Sequence, residues 1–523
     1  MRPTLAGKII IFILVAGGLY GGYRFWKQRS DGGSSSQATG HFGDTKIEGD
    51  LGLNSRLGRP LHVALNQWPG WLGGIFANNG LKPNKACIYW QTYNLLVEFQ
   101  IMDDPVAMTN EFASGRVDLA WSTMDTAATQ LGGLKKGGTP AKILFQVDYS
   151  QGGDAIVARQ GINRFEDLKD KTVALITLSP SDTLLRYGVL NSSLTESQKR
   201  GILNSKIAQD LPDAVVATFT SGKADAIVTW EPNISAALKQ VPGSHVIFSS
   251  ETASNLIGDC FLARTDFIQQ NGDLIKAFIK GWFDGAFQAQ NDAHKAVETM
   301  MDSFPDFKSL GEKGCLDTFN KVKLTSLADN AKTFGFGGAS AQFDTIFNQA
   351  NSFYVGAVED EVSASDAKDD QFVREIYNEL PTEQKKPTPM EEVHITPQQH
   401  REAETATPVF TKPLTINFES GSATLSQSAR QALDSKVVPL LRTASNALFR
   451  IEGNTDNVGN HDSNVVLSQR RAQAVVNYLV SRGFNSERLI PMGNGPDKPV
   501  ADNSTAAGRQ ANRRTDVKLI ANQ

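Results

Sequence analysis

The chain has 523 residues, which at ~150 residues per domain means two to four domains and excludes a single small fold. Charged residues make up 21% and hydrophobic ones 40%, with 45 Gly and 21 Pro, an ordinary globular composition. With 52 basic against 56 acidic residues the formal charge is −4, so no global basic field exists to hold a polyanion, and nucleic acid is not an expected partner.

At the amino end, Ile9 to Tyr23 is an unbroken apolar and glycine run after Arg2 and Lys8, followed by Arg24, Phe25, Trp26 and Lys27. Borrowing its flanks, it reads as a transmembrane helix over 6–27 with an interfacial anchor. No Ala-x-Ala site and no nearby cysteine favour cleavage or lipidation. Basic residues balance on its two sides, so orientation rests on the domains downstream. Residues 28–58, with Gly32 to Gly40, read as a flexible linker, and 32–58 extended would reach ~90 Å. The only cysteines, Cys87, Cys260 and Cys315, allow one bridge at most and read as small buried hydrophobes.

From 59 to 375 the pattern is α/β. Leu61–Leu65 predicts a strand broken by Asn66-Gln-Trp-Pro-Gly-Trp71, placing Trp68 and Trp71 at its carboxyl end. Ala113-Ser-Gly-Arg-Val-Asp-Leu-Ala-Trp121 echoes Thr220-Ser-Gly-Lys-Ala-Asp-Ala-Ile-Val-Thr-Trp230. In both, a glycine able to turn left-handed ends a helix and an apolar strand follows. Two related lobes are implied, and ligands of open α/β sheets lie beyond strand carboxyl ends. Asp125, Thr126, Trp230 and Glu231 therefore become cleft candidates. Val173 to Arg186 passes from strand to a capped helix start whose amides, with Ser179, Ser181 and Thr183, predict an anion site; plain helix capping is the alternative. Indoles can stack on an organic group, and Asp125, Asp148, Asp154 and Glu231 can meet an ammonium or amidinium. Core packing and turn capping explain the same residues without a ligand.

Val97 to Pro105, the two Ser-Gly-x-x-Asp echoes, Asp167 to Ala174, Val228-Thr-Trp-Glu-Pro232 and Leu274 to Trp282 together resemble the periplasmic substrate-binding proteins of the nitrate/sulfonate/taurine and thiamine-precursor group. That resemblance implies a type II periplasmic-binding-protein-like module closing on a small solute, with crossovers near 148–154 and 251–255, a hinge at Gly152 and Gly153, and an ABC permease as partner. The expected solute is small and anionic or zwitterionic. The segment Lys82 to Tyr93 is longer than many members carry there.

Residues 376–412, with prolines at 381, 387, 389, 397 and 408, read as an extended linker able to span ~100 Å. From 413 to 523 a further small α/β unit follows. Its Gly453-Asn-Thr-Asp-Asn-Val-Gly459, Asn464-Val-Val-Leu-Ser-Gln-Arg-Arg-Ala472, Gly493-Asn-Gly495 and Asn503 to Arg514 resemble the OmpA-like peptidoglycan-binding domain. By that match Asp456 and Arg471 clamp the diaminopimelate of a stem peptide, with Thr455, Asn464, Leu467 and Arg514 shaping the pocket; Asn454 stands where His or Tyr is frequent. The chemistry is coherent, because a free amino-acid end bears ammonium and carboxylate together and needs both charges in reach.

The whole predicts an inner-membrane, single-pass protein with periplasmic domains: a solute receptor tethered to peptidoglycan, without cofactor, metal or catalysis. The alternatives are an envelope sensor or scaffold without transport, and a cell-wall or pyrimidine-metabolism enzyme. No Walker loop, His-Glu-x-x-His pair, nucleophile elbow or Rossmann fingerprint occurs.

Overall fold

The computed structural model describes residues 42, 49–338, 341–354, 362–385, 395–416, 418 and 422–520. The expected transmembrane helix and the glycine-rich leash to residue 41 lie outside them. No helix among the described residues is long and apolar enough to cross a membrane.

The first lobe is a five-stranded sheet in the order Val97–Ile101, Leu61–Leu65, Leu119–Thr123, Asp259–Arg264, Ala141–Gln146. The second has the order His245–Ser249, Asp154–Ala158, Ala226–Trp230, Val173–Ile176, Ile207–Gln209. Their shared logic is visible in the strand directions. Asp154–Ala158, the first strand after the chain leaves lobe one, runs antiparallel to Ala226–Trp230; Asp259–Arg264, the first after it returns, runs antiparallel to Leu119–Thr123. Each lobe is thus completed by a strand that has crossed over.

The sequence echo marks the same turn in both lobes. Gly115 and Gly222 have φ of +82° and +78°, the left-handed region where a side chain is penalised. Three residues on, Asp118 accepts from the His62 amide at 3.0 Å and Asp225 from the Thr172 amide at 2.8 Å. The two acids tie each helix-to-strand turn to the start of the neighbouring strand.

The crossovers fall at the expected segments. The Ser150 and Ser250 hydroxyls meet at 2.8 Å, and the Gly152 amide donates to Ser250 at 2.9 Å. Asp148–Ser150 also pairs with Val322–Leu324. The long segment after Lys82 serves the core: its helix Ile88–Tyr93 stacks Tyr89 on Phe278 with centroids 5.6 Å apart. The leash ends earlier than expected, because Asn54 is fully buried and bridges both the amide and the carbonyl of Leu96.

The carboxyl-terminal domain has strand order Phe410–Leu414, Thr515–Ile520, Leu448–Asn454, Leu489–Gly495. The described parts of the expected linker, residues 376–385 and 395–412, are largely helical rather than extended. Gln371–Glu379 is a helix that buries Phe372, Val373, Ile376 and Tyr377, and Pro397–Thr405 is a second helix. Buried Arg450 donates to the carbonyls of Ala403, Glu404 and Ala406, holding the second helix by its negative end. Proline composition misled here because Pro397 sits in the first turn of its helix, where the missing N–H costs nothing.

The domain shares its apolar interior with the second lobe. Phe410 is fully buried, its ring 6.2 Å from Phe165 and 6.0 Å from Tyr187. Asn255, on the second crossover, donates through its amide to the Thr443 carbonyl at 3.0 Å and through Nδ2 to the Arg442 carbonyl at 2.9 Å. These carbonyls end the helix Val438–Thr443 and would otherwise be orphaned.

Candidate functional sites

Between the lobes lies a narrow cleft, partly open to solvent. Trp68 and Trp121 from the first lobe face Trp230, Ile176, Leu178 and Ser179 from the second, with Asp103, Asp154 and Asp259 on its walls. The echo explains two of these indoles, since Trp121 and Trp230 belong to the two equivalent strands.

Carboxyl groups dominate the electrostatics. Asp148 accepts from Trp68 Nε1 at 2.7 Å and from the Asp259 amide at 3.0 Å. The latter bond holds the Asp148 and Asp259 carboxyl groups close to each other. Burial, then the Asp148 charge, pushes Asp259 well above the usual carboxylate range, and burial raises Asp148. Asp154 is pushed up to about 7 by burial, with Asp125, Asp148 and Glu231 adding like-charge repulsion. Asp125 is pushed up to about 6, again by burial; the Thr123 and Thr183 hydroxyls moderate the shift, yet neither of its oxygens has a partner in hydrogen-bond geometry. Glu231 alone meets a cation, Lys321 at 2.6 Å.

Of the residues expected in the cleft, Trp68, Thr126, Ser179 and Trp230 line it. Trp71 does not: it is fully buried in the first-lobe aromatic core, 5.2 Å from Phe261, with Nε1 on Asn66 at 2.6 Å. Asp125, Ser181, Thr183 and Glu231 are buried behind the walls, and Thr183 is spent on the Tyr354 hydroxyl at 2.9 Å. Part of the expected anion site is already committed, although the buried Ser181 hydroxyl has no hydrogen-bond partner. Pro180 occupies the first position of the helix Pro180–Asn191 and has no N–H, while Ser179 caps the Ser181 amide and gives its own proton to the Ile176 carbonyl. Sequence reasoning missed Asn66, Asp103, Trp121, Gln130 and Asp259 as wall residues. Trp121 was readable from the echo; Asp259 gave no local signal, because only the returning strand brings it there. Leu178 was equally hidden. It has φ of +56°, a costly conformation for a bulky residue, and its amide is held by Asp182 at 3.2 Å.

The second site is on the carboxyl-terminal domain. Glycines let the helix His461–Ser481 lie directly on the sheet: a Cβ at Gly453 would meet the Ser468 carbonyl at 2.3 Å, and one at Gly493 the Gln469 amide at 2.4 Å. The loop after Asn454 is then fixed, with the Thr455 amide on the Gly495 carbonyl at 2.9 Å and Asn464 Nδ2 on the Val458 carbonyl at 3.0 Å. Asp456 is brought to Arg513, which forms an ion pair with it. Arg471 is half-buried, with Nε on the Ser422 carbonyl at 3.0 Å and its guanidinium 4.9 Å over the Phe418 ring. Asp456 and Arg513 both act on its charge, so the three form one charged group. Leu467 is half-buried on the same helix. Arg514 is placed differently from expectation. It is turned inward to Asp516 at 2.9 Å and to the Lys498 carbonyl at 3.1 Å, and its neighbour Arg513 faces Asp456 instead.

Beneath that loop, Glu452 is fully buried but well supplied: Arg450 Nε at 2.7 Å, Lys518 at 2.8 Å, Lys498 at 3.3 Å and Asn494 Nδ2 at 2.7 Å. Burial alone would raise its carboxyl; Lys518, Asn494 and Arg450 outweigh it and hold the group down to about 2.

Two lobes walling a cleft are followed by an α/β domain with a loop-borne Asp beside arginines. Family models agree on both parts: NMT1/THI5 like over residues 88–296 and OmpA family over residues 417–513. The chain is a fusion of an NMT1/THI5-like domain with a carboxyl-terminal OmpA domain. Over 111 residues it is 36% identical to the probable lipoprotein YiaD of Escherichia coli, covering 21% of this chain and 50% of that protein. Over 102 residues it is 35% identical to the peptidoglycan-binding protein ArfA of Mycobacterium tuberculosis, covering 20% of this chain and 31% of that one. The chain therefore spans half or less of these relatives. Similar solved structures include the nitrate-binding protein NrtA of Synechocystis (13% identity, TM-score 0.49, 62% of this chain and 91% of that one) and the aliphatic sulphonate-binding protein SsuA of Escherichia coli (17%, 0.46, 59% and 97%).

Proposed function

We propose that the protein is a non-catalytic receptor of the cell envelope that takes a small solute between its lobes and is held to peptidoglycan by its carboxyl-terminal domain. The observation that carries the reading is the pairing of two built sites in one chain: an indole-walled cleft, and Asp456 set beside Arg471 and Arg513. A carboxylate next to guanidinium groups suits the ammonium and carboxylate of a diaminopimelate end. Peptidoglycan lies outside the inner membrane, so the amino-terminal apolar run would anchor the protein there with its domains in the periplasm, beside an ABC permease if the solute is imported.

Sacculi should retain the purified chain, and the Asp456→Ala, Arg471→Ala double variant should pass through. Equal retention of the two removes the wall contact. Mass spectrometry of the gently purified chain should show a co-purifying solute, lost in Trp68→Ala. A periplasm-specific reporter fused after Gln523 tests the topology, and co-purification tests the permease.

A further inference from the structure

We infer that the solute is an organic cation, a protonated amine or amidinium on a flat apolar body. This deepens the receptor reading and rests on it. Among the described residues, those lining the cleft include three indoles and three aspartates, and no lysine, arginine or histidine. An anion placed there would be desolvated against carboxyl groups with no positive side chain on the wall to receive it. The helix start that might have replaced such a side chain is already capped.

The carboxyl groups themselves lack partners of opposite charge. Asp148 accepts from the Asp259 amide at 3.0 Å, so the two buried carboxyl groups are held close together, and their like charges repel. Buried Asp125 has two oxygens without hydrogen-bond partners, and it lies close enough to act on both Asp154 and Asp259. The nearby ammonium of Lys321 is committed to Glu231. A positive group between Asp154 and Asp259 would relieve this repulsion and donate charge-assisted hydrogen bonds to carboxylates of both walls. Trp68, Trp121 and Trp230 present aromatic surface of the kind that attracts cations and stacks on planar rings. Trp68 is also oriented by its bond to Asp148, so the aromatic wall and the acid cluster form one unit.

The test uses the full chain and two probes of one shape and opposite charge, benzamidinium and benzenesulfonate. Calorimetry and indole fluorescence should show saturable binding of benzamidinium, with benzenesulfonate at least tenfold weaker. Asp154→Asn should weaken benzamidinium at least tenfold with circular dichroism unchanged; Asp103→Asn, on the opposite, first-lobe wall and outside the cluster, serves as a second variant if the first fails to fold, and should weaken it several-fold. The reverse order of the probes overturns the cation assignment and keeps the receptor reading. Saturable binding of neither also overturns the assignment, and the receptor reading then stands or falls on the mass spectrum of the co-purifying solute.

Discussion

Two clusters of buried charge have opposite characters. Around Glu452 the acid is met by Arg450, Lys518, Lys498 and Asn494, and its carboxyl sits low. Around Asp154 the neighbours are Asp125, Asp148 and Glu231, with Lys321 turned to Glu231, and its carboxyl sits high. The first cluster is complete within the fold and supports the loop that carries Asp456. The second is incomplete, as expected of groups kept for something that arrives later. Burial is common to both; the difference is who supplies the counter-charge.

The contrast can be broken from either side. The largest effect should follow Glu452→Ala, which strands Arg450 and Lys518 and should cost about 3–5 kcal/mol in denaturant unfolding of the carboxyl-terminal domain. Asp154→Asn should do the reverse at pH 8, raising stability by roughly 1–3 kcal/mol because a buried charge is removed without loss of a paired cation; calorimetric unfolding reads it. Asn494→Ala should cost only about 1 kcal/mol, since three cations remain on Glu452.

Acidity separates the clusters by sign. Glu452, with its folded pKa of about 2 below the ordinary 4.5, contributes stability that is present above pH 4.5 and lost as the pH falls through 2. Asp154 and Asp125, raised from 3.8 to about 7 and about 6, contribute stability that is present below 3.8 and lost as the pH rises through 6 to 7. Hydrogen exchange should therefore find the lobes around the cleft loosening between pH 5 and 8 while the strand Leu448–Asn454 stays protected. Uniform protection of both across that range would erase the distinction. Benzamidinium should restore protection around the cleft more at pH 8 than at pH 5.

Much of the architecture was legible because it rests on local chemistry. The echo at Gly115 and Gly222 predicts paired lobes, and the structure finds the same helix-ending turn and the same Asp-to-amide bond in each. The Asp456 loop was legible because its motifs from Gly453 to Arg514 resemble the OmpA-like domain, and the structure adds why glycine stands at 453 and 493: the helix lies directly on the sheet there. What failed depended on distant parts of the chain. Trp71 and Trp68 are three residues apart in one turn, and only the packing of Phe261 and Trp282 decides which indole goes to the core. Arg513 and Arg514 are adjacent, and the alternation of the strand Thr515–Ile520 at their end decides which one turns inward to Asp516. The segment 376–412 looked extended by composition, while Arg450, far along the chain, supplies the reason its helix Pro397–Thr405 is held in place.

The docking of the carboxyl-terminal domain through Phe410 and Asn255 has a mechanical corollary. Asn54 roots the incoming chain in the first lobe; the outgoing domain shares its interior with the second, while Arg442 and Thr443 also bond the helix Phe343–Phe353. That helix contributes to both cores, so a swing of the lobes would be felt where the domain is moored.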